Sequence, residues 1–485
     1  MTLSKNLVTL ICCLLCFVAV FCSFTVAYSA EGASDTDAPQ EKLIRYDFLA
    51  ENEMPILGYI GVACENAGSA SNPANNPSFF TKSNFQRYKD AGFNILSGLY
   101  EREPFHTSEI YKAFELCDEL GLAYFVNDND FRCESDGGQT PLGDYDHYFN
   151  LMQNKWYLNE KSFAGIAVKD EPSAKDFDGM KHVNKALKQL TDGKIAFTTL
   201  FPVFVETYRL YLDDPSGGIW TAYMRYVREY MDKVRPDVLV YDLYISMTED
   251  GSLQNPLNSS VFSGQENIYQ YMKSLSFYNK IADEYNVPFW TTVASYNHMN
   301  GNQYTKKQTE WMVNTSLAYG AKGMQYYTYW PTMDGTGPAD WENPVKSGMV
   351  THCGTPHDTY YQIQEINRNI KMVDDVLMPS CHKGIIQYGT QNCEVELDDV
   401  LYGFGDLYTI TGGDSFVGCF ERDGKPVYYI VNNSVNAGIT TFVAQFYNKT
   451  SVRLTNLRDG VRTFSDEYSV GFNLSGGQAV LLEVL

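Results

Sequence analysis

Several short motifs that mark well-known chemistries are absent from this sequence of 485 residues. No CxxC occurs after residue 30, which argues against a thiolate zinc site, and no HxH or HExxH occurs among the seven histidines. The GxSxG elbow of serine hydrolases and the GxGxxG turn of dinucleotide-binding folds are also missing. We therefore expect a protein that uses no metal and no cofactor.

Positive charge is also scarce in the chain. It has 37 Lys and Arg against 59 Asp and Glu, a formal net charge of −22. Because such a surface repels phosphate backbones, nucleic acid is excluded as an expected partner. Cysteine is thinly spread, with seven residues after the N-terminal region, an odd number that does not fit a disulfide scaffold.

The N-terminal region has the pattern of a secretory signal peptide. Lys5 precedes an apolar run from Leu7 to Val26, and small residues follow at Ala27 and Ala30. We predict a signal peptide over residues 1–30, a polar linker over 31–45, and a secreted protein for which attachment to the cell surface stays open. The rival interpretation is an uncleaved membrane anchor. No later segment is apolar enough to span a bilayer.

Eight short β-branched or aromatic runs alternate with stretches of helical period between residues 56 and 330. The runs are Ile56–Ala63, Asn94–Tyr100, Ala123–Asn127, Phe163–Lys169, Ile195–Phe201, Val238–Ile245, Pro288–Ser295 and Gly323–Trp330. After the fourth run, Met180, Val183 and Leu187 recur at spacings of three and four, as on a helix that packs against a sheet. Eight such units predict an α/β fold of the (β/α)8 barrel type over residues 46–378, with a doubly wound open sheet as the alternative.

From about Pro379 the sequence pattern changes and predicts short strands separated by turns. Six strands are expected between Gly384 and Val484, and the Asp423-Gly424 pair is typical of a hairpin turn. No long helical stripe appears there. The sequence therefore predicts a C-terminal all-β sandwich domain over residues 379–485.

In a (β/α)8 barrel the active site lies at the C-terminal ends of the strands. The fourth strand ends Lys169-Asp170-Glu171-Pro172, and strict alternation places Ile166, Val168 and Asp170 towards the helices. Lys169 and Glu171 would then point to the barrel interior, near its mouth. Because a buried carboxylate is costly unless it is used or paired, we predict Glu171 as a catalytic group; a structural Lys–Glu pair is the rival interpretation.

Other strand ends supply further polar and aromatic groups. Alternation on the sixth strand groups Asp242 with Val238, Val240 and Tyr244, so this carboxylate would lie in an apolar surrounding and require a partner or a function. The third strand ends with Asp128 and Asp130, for which a solvated loop is an equal alternative. The predicted substrate-binding residues are Asp128, Asp130, Lys169, Asp170, Tyr244, Asn297, Tyr327 and Trp330.

Paired carboxylates are the chemistry that these strand ends supply best. A glycosidic bond requires such a pair, one to protonate the leaving oxygen and one to attack or to activate water. Aromatic rings at the mouth of a barrel, such as Tyr327 and Trp330, stack on the faces of sugar rings, although they can equally pack under the C-terminal domain.

The Asp170-Glu171-Pro172 strand end, the Trp330 strand end and the trailing β-domain together resemble secreted bacterial glycoside hydrolases of the clan A type, including family 42-like β-galactosidases. The resemblance covers roughly residues 50–485 and implies that Glu171 is the acid/base and that Trp330 floors a sugar subsite. The family places Asn where this chain has Asp170. It also ends strand seven with a nucleophilic Glu, whereas Trp290–Asn297 contains none.

We therefore predict an extracellular glycoside hydrolase whose partner is a carbohydrate substrate, with Glu171 as general acid and Asp242 as second carboxylate. Asp128 or Asp130 is the substitute for the second role, and an inverting mechanism fits the missing strand-seven Glu. The alternatives are a carbohydrate-binding protein on a degenerate barrel and a secreted structural or surface-display protein.

Overall fold

The structure is a computed structural model of the chain. It describes residues 46–63, 79–97, 107–133, 143–243, 245–247, 253–254, 264–295, 304–331, 348–351, 354–389, 399–456 and 458–485. The predicted signal peptide and linker lie outside the described residues.

Eight parallel strands form a barrel, and each lies within one of the predicted runs. They are β1 Ile56–Gly58, β2 Ile95–Ser97, β3 Ala123–Val126, β4 Phe163–Asp170, β5 Ile195–Thr199, β6 Leu239–Asp242, β7 Phe289–Ala294 and β8 Met324–Tyr327. Their order is β5-β4-β3-β2-β1-β8-β7-β6. Backbone bonds from Leu200 N to Val240 O (2.9 Å) and from Asp242 N to Leu200 O (3.3 Å) join β5 to β6 and close the barrel. The prediction of a (β/α)8 barrel is confirmed, and the open sheet is wrong.

Helices follow the strands and cover the outside of the barrel. They are α1 Lys82–Asp90, α2 Thr107–Leu120, α3 Tyr145–Met152, α4 Phe177–Leu190, α5 Gly218–Val234, α6 Gly264–Glu284, α7 Lys306–Ala318, α8 Asp358–Ile370 and α9 Asp374–Leu377. Short 3-10 turns span Asn129–Phe131, Trp156–Asn159 and Thr207–Leu210. The stripe predicted for α4 is buried at Met180, Val183 and Leu187. A small hairpin pairs Ser246–Met247 with Leu253–Gln254.

The interior of the barrel is a packed apolar core. It contains Leu57, Ile95, Phe125, Phe197, Val238, Val240 and Trp290, with the rings of Phe125 and Phe197 stacked 4.8 Å apart. Val238 and Val240 therefore face inward on β6. Because successive residues on a strand alternate between faces, Asp242 shares this inward side.

The C-terminal residues form an antiparallel β-sandwich domain. Its strands are β9 Cys381–Tyr388, β10 Leu407–Thr411, β11 Ser415–Arg422, β12 Lys425–Asn432, β13 Thr440–Asn456, β14 Gly460–Leu474 and β15 Ala479–Val484. The Asp423-Gly424 turn joins β11 to β12 as predicted, with Arg422 paired to Lys425. Two details of the prediction are wrong. The two strands expected over 440–456 are one strand, and β10 and β14 were not foreseen.

Helix α7 connects the barrel to the C-terminal sheet. It begins with a capping box in which Thr305 and Gln308 bond each other, and all of its residues from Gln308 to Ala318 are buried. Trp311 Nε1 donates to Asn433 Oδ1 at 3.1 Å, and the Tyr429 hydroxyl donates to Asn314 Oδ1 at 2.7 Å. A helix buried on every side fits a position between two packed layers.

Candidate active site

A β-bulge in β4 determines which side chains reach the barrel mouth. Ala167 pairs with Phe197 of the apolar interior, but the register then shifts, so that Lys169 pairs with Thr198 and Asp170 with Thr199. The side chain of Thr198 lies close enough to Tyr230 of helix α5 to influence its pKa, and therefore faces the helices. Because paired residues of parallel strands share a face, Lys169 lies on the helix side and Asp170 on the interior side.

This arrangement corrects the strict alternation expected for β4. The expectation holds for Ile166 and Val168, which join the outer core with the helices. It is wrong for Lys169 and Asp170, because the extra residue in the bulge reverses the alternation after Ala167.

Asp170 is held from across the barrel mouth. The hydroxyl of Tyr59, which follows β1, donates a hydrogen bond to its Oδ2. Its Oδ1 is buried and has no hydrogen-bond partner in the described part of the chain. Burial raises the pKa of Asp170 to about 6, although the Tyr59 bond and the charge of Lys169 oppose this rise.

Glu171 stands at the turn that ends β4. Its backbone has a left-handed φ of 43°, and its N–H donates to Thr199 O at 2.9 Å. The side chain is 31% exposed, and its Oε2 lies 3.7 Å from Nη2 of Arg209. Burial raises the pKa of Glu171 to about 7; the neighbouring Asp170 charge adds to the rise and Arg209 opposes it. A carboxyl group with this pKa holds its proton near neutral pH, as a general acid must.

Asp242 ends β6 and is 4% exposed. Its backbone N–H bonds Leu200 O across the seam of the barrel. Desolvation is the main cause that raises the pKa of the Tyr223 phenol, and the charges of Asp242 and Glu171 both add to it. The Tyr223 hydroxyl donates to Phe201 O at 2.5 Å and contacts the Tyr278 hydroxyl. The charges of both predicted catalytic carboxylates thus make minor contributions to the pKa of one buried phenol.

A polar layer lies in the barrel beneath these groups. Gln325 of β8 is fully buried and is the register partner of Thr292, which in turn pairs with Asp242. Thr199 Oγ1 donates to Gln325 Oε1 at 3.2 Å across the interior. The upper end of the barrel thus changes from apolar to polar packing where the carboxylates begin.

The strand-three aspartates are engaged with Lys155. Its Nζ lies 2.7 Å from Asp128 Oδ2 and 2.6 Å from Asp130 Oδ2. The Tyr157 hydroxyl donates to Asp128 Oδ2 at 2.7 Å, and Asp128 Oδ1 caps the 3-10 turn by accepting from Asp130 N at 3.0 Å. These contacts explain both residues as a structural ion-pair group.

The aromatic residues of β8 differ in exposure. The Tyr327 ring is partly buried and lies 5.3 Å from the Tyr59 ring, next to Asp170. Trp330 is 2% exposed, and its ring lies 5.1 Å from that of Phe79. Tyr327 is therefore the better placed of the two to contact a ligand at the mouth. Tyr244 and Asn297 lie outside the described residues.

In the described ranges, no three His, Cys, Asp or Glu side chains are grouped as metal ligands. The same ranges contain no helix that is both long and apolar enough to cross a membrane.

Two residues at this site were not foreseen from the sequence. Tyr59 follows a strand of the predicted barrel, so its place at the mouth could have been found from the same rule that selected Glu171. Arg209 belongs to the 3-10 turn Thr207–Leu210, where no periodic pattern indicates its position.

The comparisons with known proteins show the fold. No protein-family model matches the chain, and no curated protein matches it. A family 42 β-galactosidase from G. stearothermophilus has a similar structure, with a TM-score of 0.54 and 7% identity over 91% of this chain and 99% of that one. An Anoxybacillus α-amylase, with a TM-score of 0.45 and 10% identity, matches 91% of this chain and 99% of its own. At these identities the likeness concerns architecture, and the amylase match is too weak to support an argument.

Proposed function

We propose that this protein is a secreted glycoside hydrolase that cleaves glycosidic bonds in an oligo- or polysaccharide. Residues 46–378 are the catalytic barrel and residues 379–485 its accessory β-domain. The observation that carries the proposal is Glu171: a partly exposed carboxyl group with a pKa raised to about 7, at the C-terminal end of a barrel strand.

In this proposal Glu171 donates its proton to the glycosidic oxygen as the bond to the anomeric carbon breaks. Asp242 removes a proton from a water molecule that attacks the anomeric carbon from the opposite face. This order of events is an inverting hydrolysis, and it suits a chain whose strand β7 ends Thr291-Thr292-Val293-Ala294 without a glutamate. Asp170 and Tyr327 bind the sugar beside the reacting bond.

Asp242 is preferred as second carboxylate over the strand-three aspartates. Asp128 and Asp130 share one lysine and serve a capping contact, which gives them a structural role. Asp242 faces inward at the end of β6, and its register partner Thr292 belongs to the polar layer beneath the mouth. The likeness in fold to a β-galactosidase fits a sugar as substrate.

The proposed location outside the cell is supported by the sequence alone, through Lys5, the apolar run after it and the small residues at Ala27 and Ala30. Detecting the mature N-terminus of the exported protein by mass spectrometry would test it.

A screen of glycan hydrolysis by the wild type and the Glu171→Gln variant tests the function. We expect the wild type to release reducing ends from at least one glycan and the variant to lose at least about 100-fold in rate, as is usual when a general acid is removed. Glycan binding by a wild type that hydrolyses nothing would instead favour a carbohydrate-binding protein on a degenerate barrel. The absence of a glutamate at the end of strand seven is consistent with that alternative.

A further inference from the structure

The 3-10 turn Thr207–Leu210 is fastened to the turn that carries Glu171. The N–H of Ala174, three residues after Glu171, donates to Leu210 O at 3.0 Å. The same segment is also held by helix α5, whose Tyr226 hydroxyl donates to Pro172 O at 2.6 Å. We call the exposed side chains of this contact, Lys175, Tyr208, Arg209 and Tyr211, the β5 rim. The rim therefore lies beside the proposed general acid in the described structure.

The side chain of Arg209 packs on an aromatic ring, and no carboxylate in the described structure lies within hydrogen-bond distance of it. Its guanidinium group lies over the ring of Phe201, 4.9 Å from the centroid, and its side chain is 46% exposed. In the described part of the chain, no carboxylate oxygen comes closer to it than the 3.7 Å to Glu171. This distance is too long for the forked hydrogen bonds that a guanidinium group forms with a carboxylate.

Lys175 and the two tyrosines extend the same surface. The ammonium group of Lys175 lies 3.7 Å from the ring centroid of Tyr211, and no carboxylate forms an ion pair with it among the described residues. Tyr208 is 70% exposed and Tyr211 is 51% exposed. The rim thus offers two cations and two open aromatic rings.

The chain has 59 acidic side chains against 37 basic ones. Some of its cations are closely paired: Lys155, Arg225 and Arg228 have carboxylate oxygens at 2.7, 2.9 and 2.6 Å. In a chain rich in carboxylates, two neighbouring cations without a close acidic partner leave room for an anion from outside. The open aromatic rings beside them suit the apolar face of a sugar ring.

We propose that the β5 rim binds an acidic sugar residue, a uronate, next to the bond that Glu171 protonates. This inference rests on the proposed function, since it takes Glu171 as the mark of the bond to be cleaved. The planar carboxylate of a uronate accepts two parallel N–H bonds from Arg209, and Lys175 supplies a second charge. Tyr208 and Tyr211 stack on its ring.

Affinity electrophoresis tests this proposal without relying on hydrolysis. The full-length protein without its leader is run in the cold through gels that contain polygalacturonate, alginate or glucuronoxylan, and through gels with the carboxyl-reduced polymers. We expect at least one uronate polymer to retard the wild type, and its reduced form to do so far less. Arg209→Gln should weaken that retardation about tenfold or more, because charge-assisted hydrogen bonds are lost. Lys175→Gln should weaken it in the same direction.

The C-terminal domain offers matched controls. Arg462 lies 5.5 Å from the ring centroid of Phe464 and 3.9 Å from Asp459, with 44% exposure, an environment much like that of Arg209. Lys449 also lies over a tyrosine ring, that of Tyr468, at 5.8 Å from the centroid, a longer contact than the 3.7 Å of Lys175 over Tyr211. Arg462→Gln and Lys449→Gln should leave the retardation unchanged, and equal losses in these controls would overturn the assignment to the rim.

Other results also decide the matter. Equal retardation by acidic and reduced polymers, an unchanged affinity in both rim variants, or retardation by dextran sulfate but by no uronate would each overturn the proposal. The two proposals fail separately. Hydrolysis of neutral glycans that depends on Glu171, with uronate binding indifferent to Arg209, would refute the rim alone. Uronate binding that depends on Arg209, in a protein that hydrolyses no glycan, would refute the proposed function and leave the rim as a binding site.

Discussion

The ends of strands β3 and β4 carry similar carboxylates in opposite states. Asp128 and Asp130, after β3, share the ammonium group of Lys155 at 2.7 and 2.6 Å. Asp170 and Glu171, at the end of β4, have no cation within hydrogen-bond distance in the described structure, and burial raises the pKa of both. The first pair shares a cation that the protein itself supplies, whereas burial opposes the ionisation of the second pair.

This difference separates structure from chemistry on one barrel edge. A pair of carboxylates that is bound to a lysine of the protein stabilises a turn and is less available to a substrate. A pair of carboxyl groups with raised pKa values destabilises the fold when it ionises, and such groups are typical of functional sites. The following variants test the proposed active site and the lysine-bound aspartates after β3, from the largest expected effect to the smallest.

The first variant replaces Asp242, the carboxylate proposed to act together with Glu171. Asp242→Asn should lower the hydrolysis rate by about 1000-fold, roughly 4 kcal/mol of transition-state stabilisation, because an amide cannot take a proton from water. The rate is measured on whichever glycan the wild type hydrolyses, with Asp128→Asn as the comparison, and NMR of the first-formed anomer should show inversion. Full activity of Asp242→Asn, or a retained anomer, would show that the second carboxylate is assigned wrongly.

The second variant removes the cation that Asp128 and Asp130 share. Lys155→Met should lower the free energy of unfolding by about 4 kcal/mol, because Asp128 is left as a largely buried charge without its cation. Urea denaturation measures the change. Lys112→Met, in the exposed ion pair with Glu115, is the control and should cost less than about 0.5 kcal/mol. If the two variants were equally stable, the strand-three group would not have the structural role given to it.

The third variant, Asp170→Asn, tests how the free energy of unfolding depends on pH. The folded-state pKa of Asp170 is raised, so its contribution is full below its unfolded pKa and is lost as pH rises through about 6. Asp170→Asn, which still accepts the Tyr59 bond, should therefore gain stability over the wild type between pH 4 and 8, by up to about 3 kcal/mol. A difference that does not change with pH would contradict the raised pKa.

A control of opposite sign exists for the third variant. Hydrogen bonds from Ser216 lower the pKa of Asp214. The stabilisation from Asp214 is therefore present above its unfolded pKa and is lost as the solution is acidified. Asp214→Asn should lose stability relative to the wild type at neutral pH rather than gain it.

How much the sequence could predict differs between strands. On β6 the alternation is regular, so the predicted grouping of Asp242 with Val238 and Val240 agrees with the inward position of these two valines. On β4 the bulge after Ala167 depends on how this strand pairs with β5, a tertiary contact that no local pattern shows. The predicted position of Glu171 at the end of strand four is unaffected by the bulge, because it depends only on where the strand ends.

Side-chain contacts between distant segments could not be predicted from the sequence either, because no local pattern shows which segments meet. The engagement of Asp128 and Asp130 depends on Lys155, which follows helix α3, and the hydrogen bond to Asp170 comes from Tyr59 at the far side of the barrel. Arg209 lies in a short 3-10 turn without periodicity. The eight strands themselves were predicted because their alternation with amphipathic helices is a property of the whole sequence.

The central claim is that Glu171 acts as a general acid, and its dependence on the leaving group tests this most directly. The measurement is kcat/KM of the wild type and Glu171→Ala on two substrates that share a glycone: an oligosaccharide, whose leaving alkoxide requires a proton, and a dinitrophenyl glycoside, whose leaving phenolate does not. We predict a loss of at least about 1000-fold on the oligosaccharide and of less than about tenfold on the dinitrophenyl glycoside. Equal losses on both substrates, or no loss on the oligosaccharide, would contradict the account.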